Sequence, residues 1–184
     1  SAGTIADRPI ASASRMLGGY HVLAADFHVH MFPQTWSTLP PWDTVIEARY
    51  QGLDVIALTP HDQVWAGKIG RWFAQRIGGP IVIGGEEITN ARYHLLGVGI
   101  TRAVAGDLPL SVAIDDVHAQ GGVAILAHPY ERNWPRYDAD GLKRLDGAEV
   151  VRPEAQNEPR MATELREFFE RVRVTAIGDS DYHG

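Results

Sequence analysis

The chain has 184 residues, 45% of them apolar and 22% charged, which is the balance of one globular domain with room for a sizeable core. Its formal net charge of −6 and lack of any overall basic footprint argue against a nucleic-acid partner. There are no cysteines, so disulfides and thiolate metal sites are excluded, and any metal must be held by His, Asp or Glu.

Residues 1–20 are rich in Ala, Ser and Gly and lack clear periodicity; they read as a lead-in segment before a single domain over 21–184. Val22–Val29 reads as a strand and Asp43–Gln51 as a short helix stopped by Gly52. A buried strand is expected over Asp54–Leu58, then a helix over Val64–Arg76. Strands follow at Pro80–Ile83 and Tyr93–Val98. Leu110–Gln120 is a helix closed by two glycines, and Val123–Ala127 and Ala148–Val151 are strands. Pro159–Arg171 is the clearest helix, and Val172–Ile177 is the last strand. This alternation predicts an α/β fold with a largely parallel sheet, closed into a compact barrel. Tyr130–Asp140 lacks periodicity and is expected to be a long loop beside a histidine, forming a pocket wall or lid. No run approaches the roughly 20 apolar residues that span a bilayer. The chain starts at Ser1, so a removed signal peptide would be invisible; cytoplasm is the default compartment.

Six of the eight histidines fall at or beside the ends of these strands: His28, His30, His61, His94, His128 and His183. In β/α barrels the active face is built from such positions. His28 and His30 are two apart in an extended segment, so they point to one side and can share a metal. His61 closes the next strand in Thr59-Pro60-His61-Asp62, where Asp62 is placed to cap the following helix. In Gly84-Gly85-Glu86-Glu87, one glutamate is expected to face the site and the other solvent. A carboxylate can bridge two metals, which an imidazole does not do. His94 opens a strand, His128 is followed by a proline, and Asp181 and His183 again lie two apart after an apolar strand. His21 and His118 lack such placement and are assigned to structure; His118 lies near a helix C-terminus. Ligands of this type favour Zn, Mn or Fe.

The ordered pieces DFHVH, TPHD, GGEEIT, YHLLG, AHP and GDSDYH resemble the PHP superfamily, named for polymerase and histidinol phosphatase. They span nearly the whole chain after residue 25. The resemblance implies a distorted seven-stranded β/α barrel, TIM-like, with a di- or trinuclear metal centre. It places His28, His30, Glu87 and Asp181 on a first metal, and Glu87, His94 and His128 on a second. His61 and His183 would hold a third metal or bind substrate. Two departures bear on that third site. Phe32–Ser37 carries no acidic or histidine ligand, and Pro60 stands where an Asp is common. The LPPWD segment and GLDVIALTPHD are similar to the branch that includes carbaryl hydrolase and related amide hydrolases.

The activity implied is that of a metal-dependent phosphoesterase acting on a small-molecule phosphate ester through metal-activated water. The alternatives are a carbamate or amide hydrolase and a non-catalytic metal-bound binding module. His61, Asp62 and His183 are the candidates for protonating the leaving group. Arg92, Arg132 and Arg136 could grip an anionic substrate group. Trp36, Trp42, Trp65, Trp134 and Tyr130 could line an apolar pocket.

Overall fold

The computed structural model describes residues 15–33 and 36–184. Most of the lead-in lies outside the described residues. Its end forms a two-stranded hairpin, β1 (Arg15–Leu17) with β2 (Tyr20–Val22), turned by Gly18 and Gly19, which take the positive φ a tight turn needs. The strand expected over Val22–Val29 is therefore broken at Leu23 and Ala24, and β3 covers Ala25–Val29.

From β3 onward, strands and helices follow the expected order. α1 covers Pro41–Tyr50, β4 Val55–Leu58, α2 Ala66–Ile77, β5 Ile81–Thr89 and β6 His94–Val98. α3 covers Leu110–Ala119, β7 Val123–Ala127, α4 Ala139–Arg144, β8 Gly147–Val151, α5 Pro159–Val172 and β9 Ala176–Gly178. Strands β3 to β9 form one seven-stranded sheet in sequence order. Its two edges meet through a parallel bridge between Val29 and Tyr182, supported by the Tyr182 carbonyl accepting from the His30 N–H at 2.8 Å. The sheet is a nearly closed, TIM-like α/β barrel.

Two differences from the expected elements decide the site. First, β5 runs on through GGEEIT rather than ending before it, and β5–β6 and β6–β7 pair antiparallel. The other four pairings are parallel. A hairpin thus replaces a crossover at the centre of the sheet. Because β6 runs backwards, its first residue, His94, lies at the same mouth as the last residues of the parallel strands. Second, Tyr130–Asp140 is not an irregular loop. It contains a 3-10 segment at Glu131–Arg136, and Asp138 caps α4 by accepting from the Gly141 N–H at 2.6 Å. Trp134 anchors this segment, with its indole N–H on the Pro129 carbonyl and its ring against Phe168.

The barrel interior below the mouth is filled by Ala57, Leu96, Val98, Ile125 and Ala127, with Phe27, Ile83 and Ile177 packed against them. Two larger clusters pack the helices outside. One joins α1 and α2 to β3–β5, and the other joins α3 and α5 to β6–β8. Glycine allows the tightest of these contacts. A Cβ on Gly67 of α2 would lie 2.3 Å from the Cα of Gly84 in β5, so helix and strand meet backbone to backbone. No helix among the described residues is long and apolar enough to cross a membrane.

Candidate metal centre

Seven side chains named from the sequence, on six chain segments, converge at one mouth of the barrel. His28 and His30 come from the end of β3, Glu87 from β5 and His94 from the start of β6. His128 follows β7, Asp181 follows β9, and His61 follows β4. A register shift between Asp26 and Val29 interrupts the alternation of β3, so Phe27 joins the interior cluster while His28 and His30 both face the mouth. His61, His183 and His30 form a further group of donors within 4.8 Å of one another.

Glu87 stands at the centre. Its Oε2 is 3.3 Å from His28 Nε2, 3.2 Å from His30 Nε2 and 3.1 Å from His61 Nδ1. Its Oε1 is 2.6 Å from His94 Nδ1 and 2.9 Å from His128 Nε2. The two oxygens of one carboxylate thus face two separate sets of imidazoles. Asp181 completes the first set, with Oδ1 3.1 Å from His28 Nε2 and 3.3 Å from His30 Nε2.

These distances fit a metal ion. A tetrahedron with bonds of about 2.0 Å, as zinc makes to nitrogen and oxygen, has edges of about 3.3 Å. The contacts of His28 and His30 with each other, with Glu87 and with Asp181 run from 3.0 to 3.3 Å. Proton sharing explains the cluster less well. His28 Nδ1 is committed to Glu149, so in the neutral ring its Nε2 carries only a lone pair, aimed at two carboxylates. His30 Nδ1 is buried with no partner among the described residues.

Charge couples these groups tightly. Burial opposes charge on His28, but Glu149 and Glu87 raise its pKa well above the usual histidine range. Burial likewise opposes ionisation of Glu87, but hydrogen bonds from His128, His28, His30 and His94 hold its carboxyl well below the usual range. Asp181 is held low in the same way, despite burial, by His30 and by the charges of His28, His128 and Arg152. His61 is lowered, chiefly by burial, which favours the neutral imidazole.

Three of the candidate residues, Asp62, His128 and Asp181, have φ of 52°, 28° and 54°, the left-handed region that non-glycine residues seldom occupy. Asp62 is pinned there by Thr89, whose N–H donates to its Oδ1 at 2.8 Å. Its carboxylate is thus turned to β5 rather than to the start of α2, as a helix cap would be. His183 Nδ1 lies 2.7 Å from the Asp181 carbonyl.

The expected division of the two glutamates needs correcting. Glu87 faces the site, but Glu86 does not face solvent. It is fully buried on the other side of β5, where its Oε1 accepts from the Val104 N–H at 2.6 Å. The segment that follows β6 folds back over that face and covers it. Among the tryptophans, Trp65 and Trp134 pack against the core clusters, while Trp36 and Trp42 are exposed. His118 Nε2 lies 2.8 Å from Asp146 Oδ2.

Two residues that sequence reading did not single out brace the centre. Glu149, in the middle of β8, is fully buried; its Oε1 lies 2.5 Å from His28 Nδ1 and its Oε2 accepts from the His128 N–H at 2.8 Å. Arg152 is also buried and spans Glu149 and Asp181 at 3.2 and 2.8 Å. The available signal was an acid inside an apolar strand, Gly147-Ala148-Glu149-Val150-Val151, where burial without a partner is costly.

Comparison with known proteins agrees on the fold. No protein-family model matches the chain. An uncharacterized protein of Methanocaldococcus jannaschii is 28% identical over 144 residues, covering 70% of this chain and 81% of that one. A two-domain protein of Bacteroides vulgatus, containing a predicted PHP-like metal-dependent phosphoesterase, superposes with a TM-score of 0.70 at 23% identity. The match covers 91% of this chain, which spans about half (54%) of that one. A candidate metal-dependent phosphoesterase of Bifidobacterium adolescentis gives 0.64 at 18% identity, covering 89% and 88% of the two chains. An amidohydrolase of Chromobacterium violaceum, with bound sulfate and no metal, gives 0.67 at 17%, covering 86% and 87%. The barrel thus shares the fold of these three structures.

Proposed function

We propose that this chain is a metal-dependent hydrolase of the PHP superfamily, and that its reaction is cleavage of a small-molecule phosphate ester. The observation that carries the reading is the placement of Glu87, one oxygen toward His28, His30 and His61 and the other toward His94 and His128. His28, His30, Glu87 and Asp181 would hold one divalent ion, and Glu87, His94 and His128 a second. A third would draw on His30, His61 and His183, a set without a carboxylate of its own. Zn, Mn and Fe suit these donors.

Divalent ions held by these residues would supply an activated water and polarise the bond under attack. The chain's own groups do the rest. Glu149 and Arg152 hold His28, His128 and Asp181 in place. His61 and His183 are partly exposed at the mouth and are the candidates for passing a proton to the leaving oxygen. Asp62, tied to Thr89, is better suited to fixing the His61 turn than to moving a proton.

A second reading, hydrolysis of a carbamate or amide, draws on Phe32, Trp36 and Trp42, three exposed rings in and after the segment that follows His30. They would offer an apolar berth for an aryl leaving group. Elemental analysis of the purified chain, followed by assays of p-nitrophenyl phosphate, a phosphodiester and an aryl carbamate with each metal, tests both. Phosphate ester turnover with about two metals per chain is expected. Turnover of the carbamate alone would replace the first reading with the second. Inactivity of the fully metallated chain on all three would favour a binding module.

A further inference from the structure

A cavity of about 300 Å³ opens beside the second ligand set and shares His94 and His128 with it. Asn90 and Ala91, just after β5, form one wall, and Tyr130, Arg132 and Arg136 form the facing wall. Among the described residues no aspartate or glutamate lines it, although the metal centre next door is built around Glu87 and Asp181. The Tyr130 ring stacks on His128 at 5.3 Å, and the Arg132 guanidinium lies 5.0 Å from the same tyrosine ring. Arg136 Nη1 donates to the Ala91 carbonyl at 3.3 Å, which leaves donors of its five N–H groups for a ligand.

The charge balance sharpens the point. Acids outnumber lysine and arginine by 23 to 17, and Arg102, Arg144, Arg152 and Arg160 each pair with a carboxylate. Arg132 and Arg136 have no carboxylate within ion-pair distance among the described residues, and both face one cavity. A planar guanidinium pair at that spot suits an oxyanion. Ions held by the ligand set would already neutralise the group being cut, so the arginines are available to a different part of the substrate. The volume is at the small end of ligand pockets, roughly 300–1,000 Å³, so that part is small.

Resting on the phosphoesterase reading, we propose that the substrate is a small phosphate ester whose uncut part carries a second anionic group, phosphate or carboxylate, received by Arg132 and Arg136. The 3-10 segment is then a specificity element, set against the centre through Tyr130 and His128.

The test compares phenyl phosphate, 4-carboxyphenyl phosphate and 1,4-phenylene bisphosphate on the metal-loaded protein. It uses Arg132→Gln, Arg136→Gln and, as a surface control, Arg166→Gln. The expected result is a preference of about tenfold in kcat/KM for the two doubly anionic probes. Either cavity variant should lose it while phenyl phosphate turnover changes less than twofold; Arg166→Gln should keep it. Lack of preference in the wild type would overturn the proposal. So would an equal loss for all probes, which would place the arginines on the reacting phosphate. Titration calorimetry with the same probes separates this from the reading beneath it. Arginine-dependent preference in binding without turnover retains the cavity assignment and removes the phosphoesterase activity. Equal or undetectable binding of the probes, without turnover, removes both.

Discussion

His28 Nδ1 lies 2.5 Å from Glu149 Oε1, with both side chains fully buried. This contact fixes which nitrogen of His28 bears the proton and turns the other toward Glu87 and Asp181. Glu149→Gln would place an amide N–H₂ where the His128 N–H and Arg152 both need an acceptor, or else opposite the His28 N–H. Metal affinity is expected to fall about 10- to 100-fold, measured by competition with a chelator at fixed pH. An affinity within twofold of wild type would show that Glu149 serves packing only.

Glu87 and Glu86 should separate cleanly. Glu87→Gln removes the charge that faces both imidazole sets, so bound metal should fall from about two ions per chain to one or fewer, with loss of nearly all activity. Glu86 lies across the strand from the site, and Glu86→Gln should keep its full metal content. Elemental analysis of the two purified variants decides, and equal losses would contradict the observed register of β5.

Glu86 should instead mark the pH dependence of stability. Burial, only partly offset by the Val104 N–H, pushes its carboxyl from 4.5 up to about 7. Between those values the folded state binds more protons than the unfolded one, so stability falls as pH rises through that window. The full contribution is present below about 4.5 and lost above about 7, with a limit of roughly 3 kcal/mol. Glu86→Gln cannot titrate and should flatten this fall. Urea unfolding of both proteins from pH 5 to 8, under the same metal conditions, checks it. Parallel curves would mean that Glu86 is no such group.

Gly67→Ala should be among the costlier single-methyl additions in the barrel. The new Cβ would meet the Gly84 Cα at 2.3 Å, and backbone on both sides cannot turn away. Overpacking of this kind costs about 1–3 kcal/mol, at times more. Gly78→Ala offers a contrast, since open space surrounds its Cβ and only the positive φ opposes it. If urea midpoints showed Gly67→Ala to be the milder change, the close approach of α2 to β5 would not be tight in solution.

Much of the frame was legible along the chain. Periodicity and glycine stops place α1, α3, α5 and β7 to within a residue or two, because amphipathic faces and helix ends leave local marks. The strand Val123–Ala127 could be read directly, being a short apolar run bounded by glycines and a His-Pro. By contrast, GGEEIT did not read as strand, since glycine and glutamate are poor strand formers. Pairing of Gly85–Thr89 with β6, and a bridge from His61 to Glu87 on the other side, override that preference.

The sequence by itself determined the donor inventory: histidines and acids, no thiols, spaced at the ends of strands. It also determined that His28 and His30 lie on one side of the strand, since local backbone geometry is enough for that. Only the tertiary structure decided the rest. The reversed direction of β6 brings His94 to the mouth, and closure at Val29–Tyr182 brings Asp181 to His28 across 153 residues of chain. The burial of Glu86, the bracing by Glu149 and Arg152, and the facing of Arg132 and Arg136 into one cavity belong to this group as well. Each depends on which distant segment covers a residue, and a side chain's immediate sequence neighbours carry no record of that.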